Sequence, residues 1–122
     1  MNSFIIGRIK SIKYAFLGAY KLITTEHSIM VQFLIGVVAT ILGAVLGISK
    51  TEWLLQIMAI GLVISLEGMN TAVEKIADFI HPDFNSKIGF IKDIAAGAVF
   101  FAALAAIVVG LIIYVPYFLE LF

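Results

Sequence analysis

A run of polar side chains interrupts an apolar segment in the middle of the chain. Residues 53–66 carry no charge, and three acids and an amide follow at helical spacing: Glu67, Asn70, Glu74 and Asp78. At about 100° per residue, these side chains fall within an arc of roughly 80° on one helix face. Carboxylates beside hydrocarbon are costly and usually mark a functional site.

The chemistry that these groups suit is phosphoryl transfer. That reaction needs a metal ion, a cation near the phosphates and a base near the attacking hydroxyl. Glu67 lies deepest in the segment, so it best suits a hydroxyl at the lipid–water boundary. Glu74, two turns further on, suits Mg²⁺, which prefers oxygen ligands, and Lys92 offers the cation. From the residues alone, the same acids could form a proton or cation relay, and Glu74 and Asp78 could simply be solvated.

Three stretches are long enough to place these groups in a membrane. The chain of 122 residues is 62% hydrophobic, well above the roughly half that is usual for a soluble domain. Residues 29–48 and 94–115 carry no charge, and residues 53–80 begin apolar and end polar. A helix needs about 20 apolar residues to cross the hydrocarbon core. The sequence therefore predicts one domain over residues 1–122, an all-α membrane protein with three transmembrane helices.

An amphipathic segment over about residues 4–24 precedes the first span. Its apolar positions recur at three- and four-residue steps: Ile5, Ile9, Ile12, Phe16 and Tyr20. The basic residues of the segment surround the remaining face: Arg8, Lys10, Lys13 and Lys21. This pattern predicts an interfacial helix lying in the headgroup layer. A positively charged topogenic tail is the simpler alternative.

Charge placement predicts the orientation. Seven of the eight basic residues lie before the first span or between the second and third, which assigns the N-terminus and the acid stripe to the cytoplasm and the C-terminus to the outside. Trp53 and Tyr114 would then be aromatic anchors near the outer face. The net charge of zero suggests no nucleic-acid partner, and the lack of cysteine excludes disulfides.

The segment between the second and third spans predicts a loop. Pro82 should end the preceding helix near Ile80, and further turn-forming residues continue to residue 89. Lys92 and Asp93 would then stand directly before an Ala/Gly-rich helix that starts at Ile94, where they could also be a simple helix-start charge pair. The small residues favour a packed bundle or an oligomer.

One combination of motifs resembles a known family. The pattern Glu67-x-x-Asn70-Thr71-Ala72-Val73-Glu74-x-x-x-Asp78, followed by Lys92-Asp93 and Ala96-Gly97-Ala98-Val99, closely resembles the small bacterial diacylglycerol kinases and undecaprenol kinases. The resemblance covers nearly the whole chain. It implies a lipid kinase of the bacterial cytoplasmic membrane that uses ATP and Mg²⁺. It also implies a homotrimer whose active sites form between neighbouring subunits.

The resemblance also implies roles for individual residues. Glu67 would be the catalytic base, Glu26 and Glu74 would coordinate Mg²⁺, and Asn70 would hold the site together. The remaining predicted site residues would contact the nucleotide: Arg8, Tyr14, Asp83, Asn85, Lys92 and Asp93. Ser28 and Gln32 depart from the asparagine and histidine that undecaprenol kinases often carry.

The lipid substrate would be undecaprenol or diacylglycerol, giving undecaprenyl phosphate or phosphatidic acid. The style of the surface helix and of the Asn-Thr-Ala motif favours the undecaprenol kinases. Two other functional classes stay open from the residues themselves. A small proton- or cation-conducting subunit would use the same acid stripe, and a scaffold protein would not need its charges.

Overall fold

The computed structural model describes residues 2–122 and consists of α-helices joined by short connections. In chain order, these are α1 (Asn2–Thr25), α2 (His27–Leu46), α3 (Lys50–Ile80) and α4 (Ser86–Leu121). The last three are long and apolar enough to cross a membrane. The expected all-α fold, with an N-terminal helix before three candidate spans, is confirmed.

α1 has none of its side chains buried against the rest of the described chain. Its apolar side chains, among them Ile5, Ile9 and Phe16, are exposed, as expected for a face that meets lipid or another chain. The helix covers the predicted range and continues to Thr25, and Glu26 alone separates it from α2.

A tight turn joins α2 and α3 because both helix ends are capped. Gly47 adopts the left-handed conformation, with φ of 66°, and its N–H donates to the carbonyl of Gly43, the usual way to end a helix at glycine. Ser49 and Glu52 form a capping box, in which the Ser49 hydroxyl accepts from Glu52 N–H and the Glu52 carboxylate accepts from Ser49 N–H. The caps end α2 two residues before the predicted boundary and start α3 three residues before it.

α4 begins much earlier than the sequence predicted. The Asn85 side-chain oxygen accepts hydrogen bonds from the N–H groups of Lys87 and Ile88, which caps a helix starting at Ser86. The prediction that the helix starts at Ile94 is therefore wrong, because the glycine and serine taken as loop residues lie in its first turns. Lys92 and Asp93 lie inside α4, on a rigid element.

Close packing joins the three long helices. A Cβ added at Gly43 would lie 2.9 Å from Ile48 Cδ1 and 3.0 Å from Trp53, and one at Gly36 would lie 3.0 Å from Ile60. The small residues of α2 therefore let it approach α3. Around Gly97 of α4, by contrast, an added Cβ would meet nothing within 4 Å in the described chain, so this small residue packs against no other helix of the same chain.

The three long helices run alternately up and down, so their ends meet in two clusters. We call the first the acidic end: it contains the start of α2, the end of α3 and the start of α4. The second, the hairpin end, contains the α2–α3 turn and the last turns of α4. Many large apolar side chains between the two ends are exposed, as a bundle surrounded by lipid or by further helices requires.

Candidate functional site

The predicted polar stripe lies on the last turns of α3, at the acidic end. Asn70 and Thr71 are buried, Glu67 is partly buried, and Glu74 and Asp78 are exposed. The Asn70 amide donates a hydrogen bond to the Glu74 carboxylate, with 3.2 Å between Nδ2 and Oε1. This bond orients Glu74 one turn from Asn70, so the amide acts as a support for the acid.

The other end of the Asn70 side chain has no partner. Asn70 is 9% exposed, and its Oδ1 is buried with no hydrogen bond to any residue of the described chain. An unpaired buried acceptor costs about 1–3 kcal/mol, so such atoms call for a bound group or a partner that satisfies them. This unpaired oxygen belongs to the residue that holds Glu74, and it is a candidate to accept a hydrogen bond from a ligand or from a neighbouring chain.

Glu26 occupies the single non-helical position between α1 and α2. Its backbone is extended, with φ of −107° and ψ of 114°, and its side chain makes no capping hydrogen bond with α2. The carboxylate instead pairs with Lys75 of α3, with 3.4 Å between Oε1 and Nζ. Glu26 therefore does not cap α2 through its side chain, which points instead to the helix that carries Glu74.

A second ion pair connects α3 to α4 at the same end. Lys92 Nζ lies 2.5 Å from Asp78 Oδ1, and both side chains keep access to solvent. Because Lys92 is inside a helix, its ammonium is held near the acid stripe by packing between helices. Asp93 is adjacent and exposed. The structure thus brings Lys92 together with the stripe and gives Asp78, which had no assigned role, a direct contact with it.

The donor atoms at the acidic end fit a hard divalent cation. Within residues 2–122, no group of three or more acid, histidine or cysteine side chains could enclose a metal ion. Mg²⁺ needs no such group when it binds with a nucleotide, because it takes one or two carboxylates plus phosphate oxygens. Glu74 and the unpaired oxygen of Asn70 lie on one helix, and the ion pair with Lys75 holds Glu26 against the residue that follows Glu74 in that helix.

Two predicted site residues of α1 are not joined to this cluster. Arg8 and Tyr14 are both exposed, and the Arg8 guanidinium lies 5.6 Å from the ring centre of Phe4, its own helix neighbour. Nearer the site, α1 does approach α3: a Cβ added at Gly68 would lie 3.1 Å from Leu22. Only the C-terminal part of α1 therefore contacts the helix that carries Glu67.

The predicted loop residues have local roles in the structure. Asn85 caps α4 through its side-chain oxygen, which leaves its amide group to contact a ligand. Asp83 is exposed, and its main-chain oxygen lies 2.8 Å from Nδ1 of His81. This contact stabilises the turn that follows Pro82, and α3 ends at Ile80 as predicted.

Sequence reasoning missed a polar cluster at the hairpin end. Gln56 is buried, its amide donates to the carbonyl of Ala39 over 3.2 Å, and its carbonyl accepts from the Tyr114 hydroxyl. Tyr117 donates to Glu52 over 2.6 Å. Tyr114, predicted as an aromatic anchor, thus also bonds through its hydroxyl to both α2 and α3. The sequence carried a signal for this cluster, since Gln56 is the one residue with a side-chain amide in the uncharged run of residues 53–66.

Comparisons with known proteins agree on one family. The sequence model of prokaryotic diacylglycerol kinase matches residues 13–114. An undecaprenol kinase from Bacillus subtilis is 32% identical over 107 residues, which cover 88% of this chain and 87% of the relative. A diacylglycerol kinase from Synechocystis sp. is 30% identical over 112 residues, which cover 91% of this chain but 64% of the relative. With this coverage, and with the acid stripe at the expected end of α3, the chain belongs to the prokaryotic diacylglycerol kinase family.

Proposed function

We propose that this chain, a lipid kinase of the undecaprenol and diacylglycerol kinase type by family, transfers the γ-phosphate of ATP to the hydroxyl of a membrane lipid. The observation that carries the proposal is the Asn70–Glu74 pair, with its unpaired buried oxygen, which begins one turn beyond Glu67. A partly buried acid thus lies on the apolar side of a cation-binding group. A lipid hydroxyl can reach Glu67 from the bilayer, and a nucleotide can reach Glu74 from water.

Glu67 acts as the general base in this proposal. It takes the proton from the lipid hydroxyl as the oxygen attacks the γ-phosphorus, a new oxygen–phosphorus bond forms, and the bond to the β-phosphate oxygen breaks to release ADP. Glu74 and Glu26 would hold Mg²⁺, which neutralises charge on the phosphates when it is bound. Asn70 keeps Glu74 in position through their hydrogen bond.

The nucleotide contacts come from the start of α4 and from other elements near it. Lys92 and Asp93 are fixed on α4 close to the stripe, and Asp83 and Asn85 lie in the turn before it. Arg8 and Tyr14 make no contact with the acidic end in a single chain. In the proposed homotrimer with shared sites, a neighbouring copy would supply them.

The acidic end would face the cytoplasm of a bacterium, where ATP is available. The positive-inside rule supports this orientation, because seven of the eight basic residues lie in α1 or at the acidic end. Conduction of protons or cations is the weaker alternative. One acid of the stripe that it would use, Asp78, is paired with Lys92.

Undecaprenol is the favoured lipid. The relative named undecaprenol kinase matches this chain over most of both lengths, whereas the relative named diacylglycerol kinase is substantially longer than the match. Incubation of the purified protein with γ-labelled ATP, Mg²⁺ and either lipid in mixed micelles tests both the activity and the substrate. Label in undecaprenol above that in diacylglycerol is expected, and label in neither lipid would overturn the proposal.

A further inference from the structure

Lys75 makes a contact that neither stability nor the proposed chemistry requires. Its ammonium lies 3.4 Å from the Glu26 carboxylate, and the side chains are 72% and 22% exposed, respectively. An ion pair with so exposed a partner contributes little to the stability of a fold. The pair therefore calls for another explanation, and its acid is one of the two proposed metal ligands.

Lys75 is placed where its positive charge can compete with a metal ion for the Glu26 carboxylate. It directly follows Glu74 in α3 and reaches across to Glu26 between α1 and α2. A lysine ammonium is a point charge on a flexible side chain. It can therefore form the ion pair with the carboxylate, or break it, without a change in the helices. The exposure of the side chain means that its release needs no rearrangement of the core.

We infer that the Lys75 ammonium pairs with the Glu26 carboxylate in the absence of ligand and is displaced when a metal–nucleotide complex binds. This inference rests on the proposed function, because it takes Glu26 as a metal ligand. A free divalent cation must displace Lys75 without offering it another partner. A metal–nucleotide complex brings phosphate oxygens that can accept the released ammonium. Lys75 therefore lowers the affinity for the free metal more than for the complex, and makes the site selective for the complex.

A structural tether is the competing explanation of the pair. A tether would hold the start of α2 against α3, and its removal would leave metal affinity unchanged or weaken it. A competing cation predicts the opposite sign, because removing a positive charge beside a carboxylate strengthens binding of a second cation there. The direction of the change in metal affinity when Lys75 is neutralised thus distinguishes a competing cation from a structural tether.

The test measures binding of Mn²⁺, a paramagnetic substitute for Mg²⁺, to the full chain in detergent micelles by electron paramagnetic resonance. Lys75→Gln should bind Mn²⁺ alone about 3- to 10-fold more tightly than the unaltered chain. The affinity for the Mn²⁺ complex of a non-hydrolysable ATP analogue should rise less or fall. Lys75→Arg keeps the charge and should behave like the unaltered chain.

Two further variants keep the result interpretable. Lys87→Gln removes a positive charge at the same end from a residue that makes no ion pair in residues 2–122, and it should leave Mn²⁺ affinity nearly unchanged. In a Glu26→Gln background, Lys75→Gln should give no gain. Lys75→Met provides a second neutral replacement if the glutamine variant does not fold.

Equal or weaker Mn²⁺ binding by a folded neutral variant at position 75 would overturn the inference, as would a gain of the same size in Lys87→Gln. Failure of the proposed function looks different. If neither lipid is phosphorylated but Lys75→Gln, unlike Lys87→Gln, binds Mn²⁺ more tightly, the role of Lys75 as a competing cation is retained. The proposed kinase mechanism is then rejected.

Discussion

At the hairpin end, the buried amide of Gln56 has partners for both its nitrogen and its oxygen, whereas at the acidic end the buried amide of Asn70 has a partner for its nitrogen only. Gln56 donates to the main chain of α2 and accepts from Tyr114 of α4, so it ties three helices together. Asn70 donates to Glu74 on its own helix and leaves Oδ1 unpaired.

We propose that this difference separates polar groups that stabilise the bundle from polar groups that serve its function. A fully bonded polar network inside a bundle holds the helices in one arrangement, whereas a partly bonded one carries an energetic cost. In the proposed function, the acidic end carries the cost of an unpaired oxygen that a ligand would satisfy, and the hairpin end holds the helices together. The following variants test that division, from the largest expected effect to the smallest.

Glu67→Gln should lower turnover by about 10²- to 10⁴-fold, because an amide cannot take the proton of the lipid hydroxyl. Nucleotide affinity and unfolding should change little, since no residue of the described chain hydrogen-bonds to this carboxylate. Steady-state kinetics and nucleotide titration measure the two effects, with Glu120→Gln as a matched control at the opposite end. A loss of nucleotide affinity as large as the loss of turnover would contradict the assignment of Glu67 as a base.

Glu74→Gln should weaken binding of Mg-ATP by about 10- to 100-fold, the range typical of lost metal-site interactions. The hydrogen bond from Asn70 can persist to the new amide oxygen, so the fold should be retained. Titration of the nucleotide at fixed Mg²⁺ measures the effect. Affinity equal to that of the unaltered chain would remove Glu74 from the metal site.

Gln56→Ala should lower the free energy of unfolding by about 1–2 kcal/mol, because it removes two hydrogen bonds between helices within the bundle. Equilibrium unfolding in mixed micelles measures the change. Turnover per folded molecule should stay within about twofold of the unaltered chain. A large loss of turnover in folded protein would show that the hairpin end takes part in function directly.

Asn70→Leu should change the free energy of unfolding by less than about 0.5 kcal/mol, since it removes an unpaired buried oxygen along with one hydrogen bond. Activity should nevertheless fall about tenfold or more, because Glu74 loses its support. The same unfolding and kinetic measurements apply to it as to the Gln56 variant. Destabilisation as large as that of Gln56→Ala would break the proposed contrast between the two ends.

The sequence predicted the elements that follow from hydropathy and from strong breakers. Three apolar runs and Pro82 were sufficient to place the spans and the end of α3 at Ile80. The start of α4 could not be predicted in the same way, because Gly89 and Ser86 have weak local preferences and the Asn85 cap decides the boundary. As a result, Lys92 was expected outside the helix that carries it.

The candidate site was only partly visible in the sequence. Helical spacing predicted that Asn70 and Glu74 share a face, and their hydrogen bond follows from that spacing. The contact between Glu26 and Lys75 joins residues far apart in the chain, so no local pattern could predict it. Charged residues at the end of a span are usually solvated, so the sequence did not predict Lys75 as a site residue.

The single residue between α1 and α2 links the angle between these helices to the position of a proposed metal ligand. Glu26 is the only non-helical residue between two long helices, so a change in the angle between them must fall mainly on its own two backbone dihedrals. Rotation about those bonds also moves its carboxylate. The angle between α1 and α2 and the position of a proposed metal ligand are therefore set by the same residue, so a change in the one would move the other.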